Sequence, residues 1–196
     1  MRLDDGYHDL PRGKLAMVVT HLQMKARAPL RNVQQPEGTE FEPLPRDPGV
    51  YRDVMRRVGQ DWLWFGRLEL DDLALCAIIE SEAVDIRTLS RDGRPEAILE
   101  LDFRTPGECE LAYFGVTPLL IGTGAGAWLM DRTIELAWAQ DIARLHVHTC
   151  TLDSPQALEF YVRSGFTPYK RQIEIADDPR RSGLYPETAA PQIPLL

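Results

Sequence analysis

The sequence predicts a single α/β domain in which antiparallel strands and helices follow one another. Two observations carry this. Hydrophobic residues recur first at helical spacing between Val50 and Ile79 and then at strand spacing from Ala83 onward. A glycine-rich stretch, Val116–Trp128 (V-T-P-L-L-I-G-T-G-A-G-A-W), then joins an apolar segment to a helical pattern that reaches Gln140.

A chain of 196 residues is long enough for one sizeable core and short for two, so residues 1–196 read as one domain. The folded core is expected over 15–175, with 176–196 a Pro-rich tail on the surface. A net charge of -8 argues against nucleic acid as the main partner. The first residues, Met1-Arg2-Leu3-Asp4-Asp5-Gly6, do not resemble a signal peptide. No apolar run approaches the ~20 residues of a membrane helix. Cys76, Cys109 and Cys150 are odd in number and widely spaced, which suggests neither a disulfide framework nor a metal site. A cytoplasmic protein with no membrane partner is the simplest expectation.

In order, Leu15–Met24 reads as a first strand, residues 25–37 as a loop, and Thr39–Leu44 as a short strand stopped by prolines. Val50, Val54 and Val58 mark an amphipathic helix. An aromatic knot follows at Trp62, Trp64 and Phe65, and then a helix capped by Asp71 or Asp72. Asp92-Gly93 signals a hairpin between Ala83–Leu89 and Ala97–Phe103. Thr105-Pro106-Gly107-Glu108 suits a type II turn, so Cys109–Val116 completes a three-strand meander. The helix after the glycine loop has Ala127, Met130, Ile134 and Ala137 on its apolar stripe, with Asp131, Arg132 and Glu135 facing elsewhere. Arg144–Cys150 is the next strand. Ser154 as N-cap and Pro155 at N1 open a further helix closed by Gly165, and Thr167–Ile175 is the last strand.

The glycine loop is the centre of the functional reading. Glycine permits positive φ and close backbone approach, and the first-turn amides of a helix lack partners and carry its positive pole. Phosphate binds readily there. A P-loop is excluded, because no Gly-Lys-Ser/Thr follows. The dinucleotide pattern G-x-G-x-x-A fits Gly122, Gly124 and Ala127 literally. Its context fails: the preceding strands form a meander, and the next strand ends His148-Thr149-Cys150 rather than in an acid.

A third pattern fits in spacing and context. Val116, Pro118, Gly122, Gly124 and Gly126 resemble the V-x-P-x-x-(R/Q)-G-x-G-x-G/A motif of the GNAT superfamily, the acyl-CoA-dependent N-acyltransferases, with Ile121 in place of Arg or Gln. Residues 154–166 resemble that family's N-x-x-A-x-x-(L/F)-Y-x-x-x-G-F, through Ala157, Phe160, Tyr161, Gly165 and Phe166, with Ser154 in place of Asn. The resemblance covers roughly Ala83–Ile175. It implies a GNAT-type α/β (α+β) fold: a mixed, largely antiparallel sheet with helices on both faces, splayed between the fourth and fifth strands.

The resemblance also implies roles. Acetyl-CoA is the co-substrate and no metal is needed. Its pyrophosphate falls to the amides of Gly122, Thr123, Gly124, Ala125, Gly126 and Ala127, its pantetheine arm to the backbone of Phe114, Gly115 and Val116, and Ser154 and Tyr161 join the cofactor site. Tyr161 matches the general acid that protonates the departing thiolate, a phenol of ordinary pKa near 10. Glu110 matches a strand carboxylate used as base, with Glu100 and Asp102 as rivals. A backbone amide near Val116 supplies the oxyanion donor. His146 and His148 share one strand face beside the expected acceptor. Trp62 and Trp64 could face a cationic amine or plug the core. The acceptor is a small-molecule or peptide amine, and a homodimer is compatible with the family.

Overall fold

The computed structural model describes residues 4–196. Met1–Leu3, part of the start read as unlike a signal peptide, lie outside that range. Eight strands form one open, mostly antiparallel sheet: β1 (Lys14–Met24), β2 (Glu40–Pro43), β3 (Val84–Arg91), β4 (Arg94–Pro95), β5 (Ala97–Asp102), β6 (Glu108–Val116), β7 (Arg144–Cys150) and β8 (Thr167–Asp177). The strand order is β2-β3-β5-β6-β7-β1-β8, with β4 paired to β3. Four helices cover it: α1 (Pro48–Gly59), α2 (Asp72–Ile79), α3 (Ala125–Trp138) and α4 (Ala157–Arg163).

Local signals account for the meander. Asp92 and Gly93 both have positive φ (52° and 72°), as a type I′ hairpin turn requires. Gly107 (φ 74°) and the bond from the Glu108 amide to the Thr105 carbonyl, at 3.2 Å, build the type II turn. Asp47 caps α1 by accepting from the Val50 amide, and Asp71 caps α2 by accepting from Ala74.

Alternation along the strands divides the apolar residues between two cores. On one face, Leu99, Leu101, Leu111, Leu145 and Val147 pack beneath Leu129, Met130 and Ile134 of α3 and Tyr161 of α4. On the other, Val84, Ile86 and Ile98 pack beneath Tyr51, Val54 and Met55 of α1 and Leu75 of α2. The first strand serves both, giving Leu15, Met17 and Val19 to the second core and Leu22 and Met24 to the first.

Three expectations are corrected. The tail is not a surface appendage. Arg180 is buried, bonded to Asp178 (2.9 and 2.7 Å) and to the carbonyls of Ala189 and Ile193, while Tyr185 joins the second core. Ser154 and Pro155 do not open the helix. The Asp153 carboxylate accepts from the Cys150 amide and the Thr149 hydroxyl, tying residues 149–153 into a turn, and α4 begins only at Ala157. Asp131, read as facing away from the core, is buried on α3. Among the described residues, no helix is long and apolar enough to cross a membrane.

Candidate active site

The site is built where the sheet parts. Strands β6 and β7 run parallel and pair only through Glu108–Glu110 against Arg144–His146. Past Glu110, β6 continues to Val116 paired with β5 alone, and β7 continues to Cys150 paired with β1. Alternate residues of the free half of β6, which holds Phe114, Gly115 and Val116, therefore turn their main-chain groups to the gap. A register shift in the β5 pairing between Glu100 and Leu101 marks where the divergence starts.

The gap leads to the glycine loop. Pro118–Leu120 forms a single 3-10 turn, Ile121 is extended and exposed, and Gly122 and Gly124 take φ of 80° and 86°. The Thr123 hydroxyl donates to the Leu120 carbonyl and accepts, at 3.4 Å, from the Ala125 amide. The Trp128 amide makes the first bond of α3, to the Gly124 carbonyl, so the amides of Gly122, Gly124, Gly126 and Ala127 have no partner among the described residues. Tight packing does not explain the glycines. A Cβ added to Gly122 or Gly126 would meet nothing within 4 Å, and Gly126 has no positive φ to justify it. Bare backbone facing open space at a helix N-terminus is what a pyrophosphate needs, so these residues fit the group.

The Y-x-x-x-G-F pattern also has a physical basis. Gly165 (φ 98°) ends α4, its amide bonding the Val162 carbonyl and the Phe166 amide bonding the Tyr161 carbonyl. This is a Schellman closure, and the Tyr161 and Phe166 rings meet edge to face at 5.9 Å. Tyr161 also meets Phe114 of the free half of β6 at 6.3 Å. Burial, with the Asp153 charge behind it, pushes its phenol up. The proton stays on at neutral pH, as an acid requires.

On the opposite face, Glu110 sits at the last pair before the strands part, beside His146. His148 Nδ1 lies 3.7 Å from Glu110 Oε1. That contact holds Glu110 below the usual carboxylate range and raises His148 against its burial. Burial lowers His146. His21 of β1 pairs in register with His148, the rings 5.7 Å apart, and is lowered by burial and by His148. The rival bases are committed elsewhere. Glu100 is buried between the Tyr51 hydroxyl and the Arg67 guanidinium (2.5 and 2.7 Å), and Arg104 grips Asp102.

Trp64 is a structural wedge. Its indole N–H donates to Asp153 Oδ1 at 2.8 Å and its ring meets Tyr113 edge-on. A Cβ on Gly115 would lie 2.9 Å from Trp64 Cη2 and 2.5 Å from Val58 Cγ1, so Gly115 is a packing glycine that lets α1 and Trp64 close on β6. Trp62 lies in the turn after α1 and takes no part in this wedge. The Ser154 hydroxyl makes only a 3.4 Å contact with the Gln156 amide. Sequence reasoning missed Asp153, which carries Trp64, and His21. Neither stands in a motif, and His21 reaches the site only because β1 is threaded beside β7.

Known proteins share the fold that carries this site. Residues 51–166 match the model of the acetyltransferase (GNAT) family. A GCN5-related N-acetyltransferase from Sphaerobacter thermophilus superposes with a TM-score of 0.63 at 14% identity, over 83% of this chain and 52% of that one. A tandem GNAT protein from the clavulanic acid biosynthesis pathway gives 0.57 at 14% identity, over 82% and 53%. A GCN5-related N-acetyltransferase from Kribbella flavida gives 0.52 at 17%, over 85% and 60%. The chain thus spans little more than half of these structures' length, and such low identity speaks for the fold alone. No curated protein matches the sequence. The family match, extending over more than half of the chain and including both motifs, establishes that this protein belongs to the GNAT acetyltransferase family.

Proposed function

We propose that the protein transfers an acetyl group from acetyl-CoA to a primary amine by direct attack in a ternary complex. The observation that carries this reading is the gap between β6 and β7, with unpartnered loop amides at one end and Glu110 at the other. Acetyl-CoA supplies the thioester whose acyl group is transferred. The amides of residues 122–127 bind its pyrophosphate, and the free edge of β6 from Phe114 to Val116 takes its arm and offers the oxyanion a donor. Glu110, with His148 beside it, removes the proton that an ammonium of pKa about 10.4 must lose. Tyr161 returns a proton to the thiolate. Glu110, His146, His148 and His21 face the acceptor side, where a neutral or cationic amine meets the negative end of this cluster. Three free cysteines suit a reducing cytoplasm.

A second reading, an acyl-CoA-binding module without turnover, draws on the exposed Ile121 and on Ser154, the two departures from the family pattern. One experiment separates the two: thiol release from acetyl-CoA against a chemically varied panel of amines, beside calorimetric titration with acetyl-CoA. Turnover with any amine eliminates the idle module. Binding without release from any amine refutes the transferase.

A further inference from the structure

The segment between β1 and β2 lies outside the residues matched to the family, 51–166. It runs from the end of α4 past α3 to the glycine loop, with a contact at each. Ala28 packs so close to Gly165 that a Cβ there would lie 2.6 Å from its own. Arg31 donates to Ser164 Oγ at 2.6 Å, and its guanidinium stands 5.2 Å over the Phe160 ring. Phe160 stacks on Phe114 of the free half of β6 at 5.7 Å. The amides of Arg31 and Asn32 both donate to the Asp131 carboxylate, at 3.1 and 2.8 Å. Val33 reaches the glycine loop, its Cγ1 3.7 Å from where a Gly124 Cβ would stand. Extended chain from Ala28 to Val33 covers at most about 17 Å, so this short span bridges both helices.

Val33 thus stands beside the glycine loop, and the Arg31–Phe160–Phe114 stack beside the free half of β6. The hold on the segment is also unusual. Asp131 is only 2% exposed, yet it spends its carboxylate on two successive main-chain amides of a segment that is neither helix nor strand. Asn32 adopts φ 56°, a conformation Asn tolerates better than most residues. The Asp131 carboxylate is thus one fastening of the segment, beside the Ala28 and Arg31 contacts, and it stands on α3 rather than on the sheet.

We propose that residues 25–38 form a latch over the acyl-CoA groove, fastened by Asp131, and that acyl-CoA enters and leaves as it opens. This rests on the acyl-CoA reading above. The test first measures acetyl-CoA binding to the wild-type chain by calorimetry. It then compares hydrogen exchange across 25–38 with and without saturating acetyl-CoA, and dissociation rates of wild type, Asp131→Asn and Arg31→Ala by stopped-flow fluorescence. Bound acetyl-CoA should slow exchange in 25–38. Asp131→Asn should speed association and dissociation together, each about tenfold, with little change in Kd, the mark of a barrier rather than a contact. Arg31→Ala, which keeps both amides on Asp131, should speed dissociation less, and it carries the test if Asp131→Asn does not fold. Wild-type dissociation rates in both variants, or exchange indifferent to acetyl-CoA, would overturn the latch while leaving the cofactor reading intact. No binding by the wild type would overturn that reading and the latch with it.

Discussion

The two faces of the sheet are built by different means. The α3–α4 face presents main chain: glycine-loop amides with no partner among the described residues, a free strand edge, and neutral aromatic rings around Tyr161. The α1–α2 face holds ionisable side chains from several strands: His21 on β1, Glu110 on β6, His146 and His148 on β7, and the Tyr51–Glu100–Arg67 network. A backbone site binds whatever shares one chemical group, a pyrophosphate in the function proposed above. A side-chain site selects and activates. On the function proposed above, the difference assigns the choice of acceptor to the α1–α2 face.

Four substitutions break or sharpen that contrast. The largest effect is expected from Arg180→Ala, which strips the buried Asp178 of its partner beneath the α1–α2 face. Stability should fall by about 3–5 kcal/mol, read by urea unfolding; a loss under 1 kcal/mol would show that the tail is not an integral wall of that core. Next comes Gly126→Asp. The position has room for a side chain and no positive φ, and an acid in the first turn of a helix is favourable by about 0.3–1 kcal/mol. Stability should hold or rise while acetyl-CoA affinity drops by about 100-fold, roughly 2.7 kcal/mol; retained affinity would refute the loop as the pyrophosphate site.

Tyr161→Phe removes a hydroxyl and keeps the ring contacts with Phe114 and Phe166. Turnover should fall by about 10²-fold, the lower range for a lost acid, with acetyl-CoA affinity unchanged. Equal turnover would make the ring purely structural. Glu110→Gln should lower turnover by about 10²-fold, as the loss of a base does, with only a small change in stability. Glu110 is depressed and His148 raised. Their mutual stabilisation is therefore fully present between the unfolded carboxylate and imidazole values. It is lost as pH rises through the raised His148 value, and again as pH falls through the depressed Glu110 value. For so exposed a pair the cost of the substitution should be a few tenths of a kcal/mol between the unfolded carboxylate and imidazole values and vanish once pH is above the raised His148 value. A cost that does not vary with pH would mean the two groups do not interact.

The glycine loop and the end of α4 were legible in the sequence for the reason they are built as they are. Main-chain geometry needs particular residues at fixed spacing, so Gly122, Gly124 and the Tyr161-to-Phe166 closure leave a linear trace. The meander was legible too, through Asp92-Gly93 and Pro106-Gly107. Side-chain sites leave no such trace. The helical period of α3 put Asp131 among polar residues, because nothing in residues 125–138 reveals that a distant segment will bring two amides to it. Ser154-Pro155 has the composition of a helix start, but Asp153 ties the chain into a turn first. The tail reads as surface from its prolines, while Arg180 organises it through carbonyls that carry no sequence signature.

The position of β1 has a consequence for how the chain assembles. Met24 pairs with Leu145, and Lys14 with Asp177. The strand nearest the start of the chain thus waits for partners made far later, at about 5–20 residues per second during synthesis. Contacts so distant in sequence close slowly. Until they close, an apolar strand with two unsatisfied edges is open to other chains. Yield at elevated temperature, where that waiting strand has most opportunity to misassociate, should depend more on β1 than on the machinery of the site.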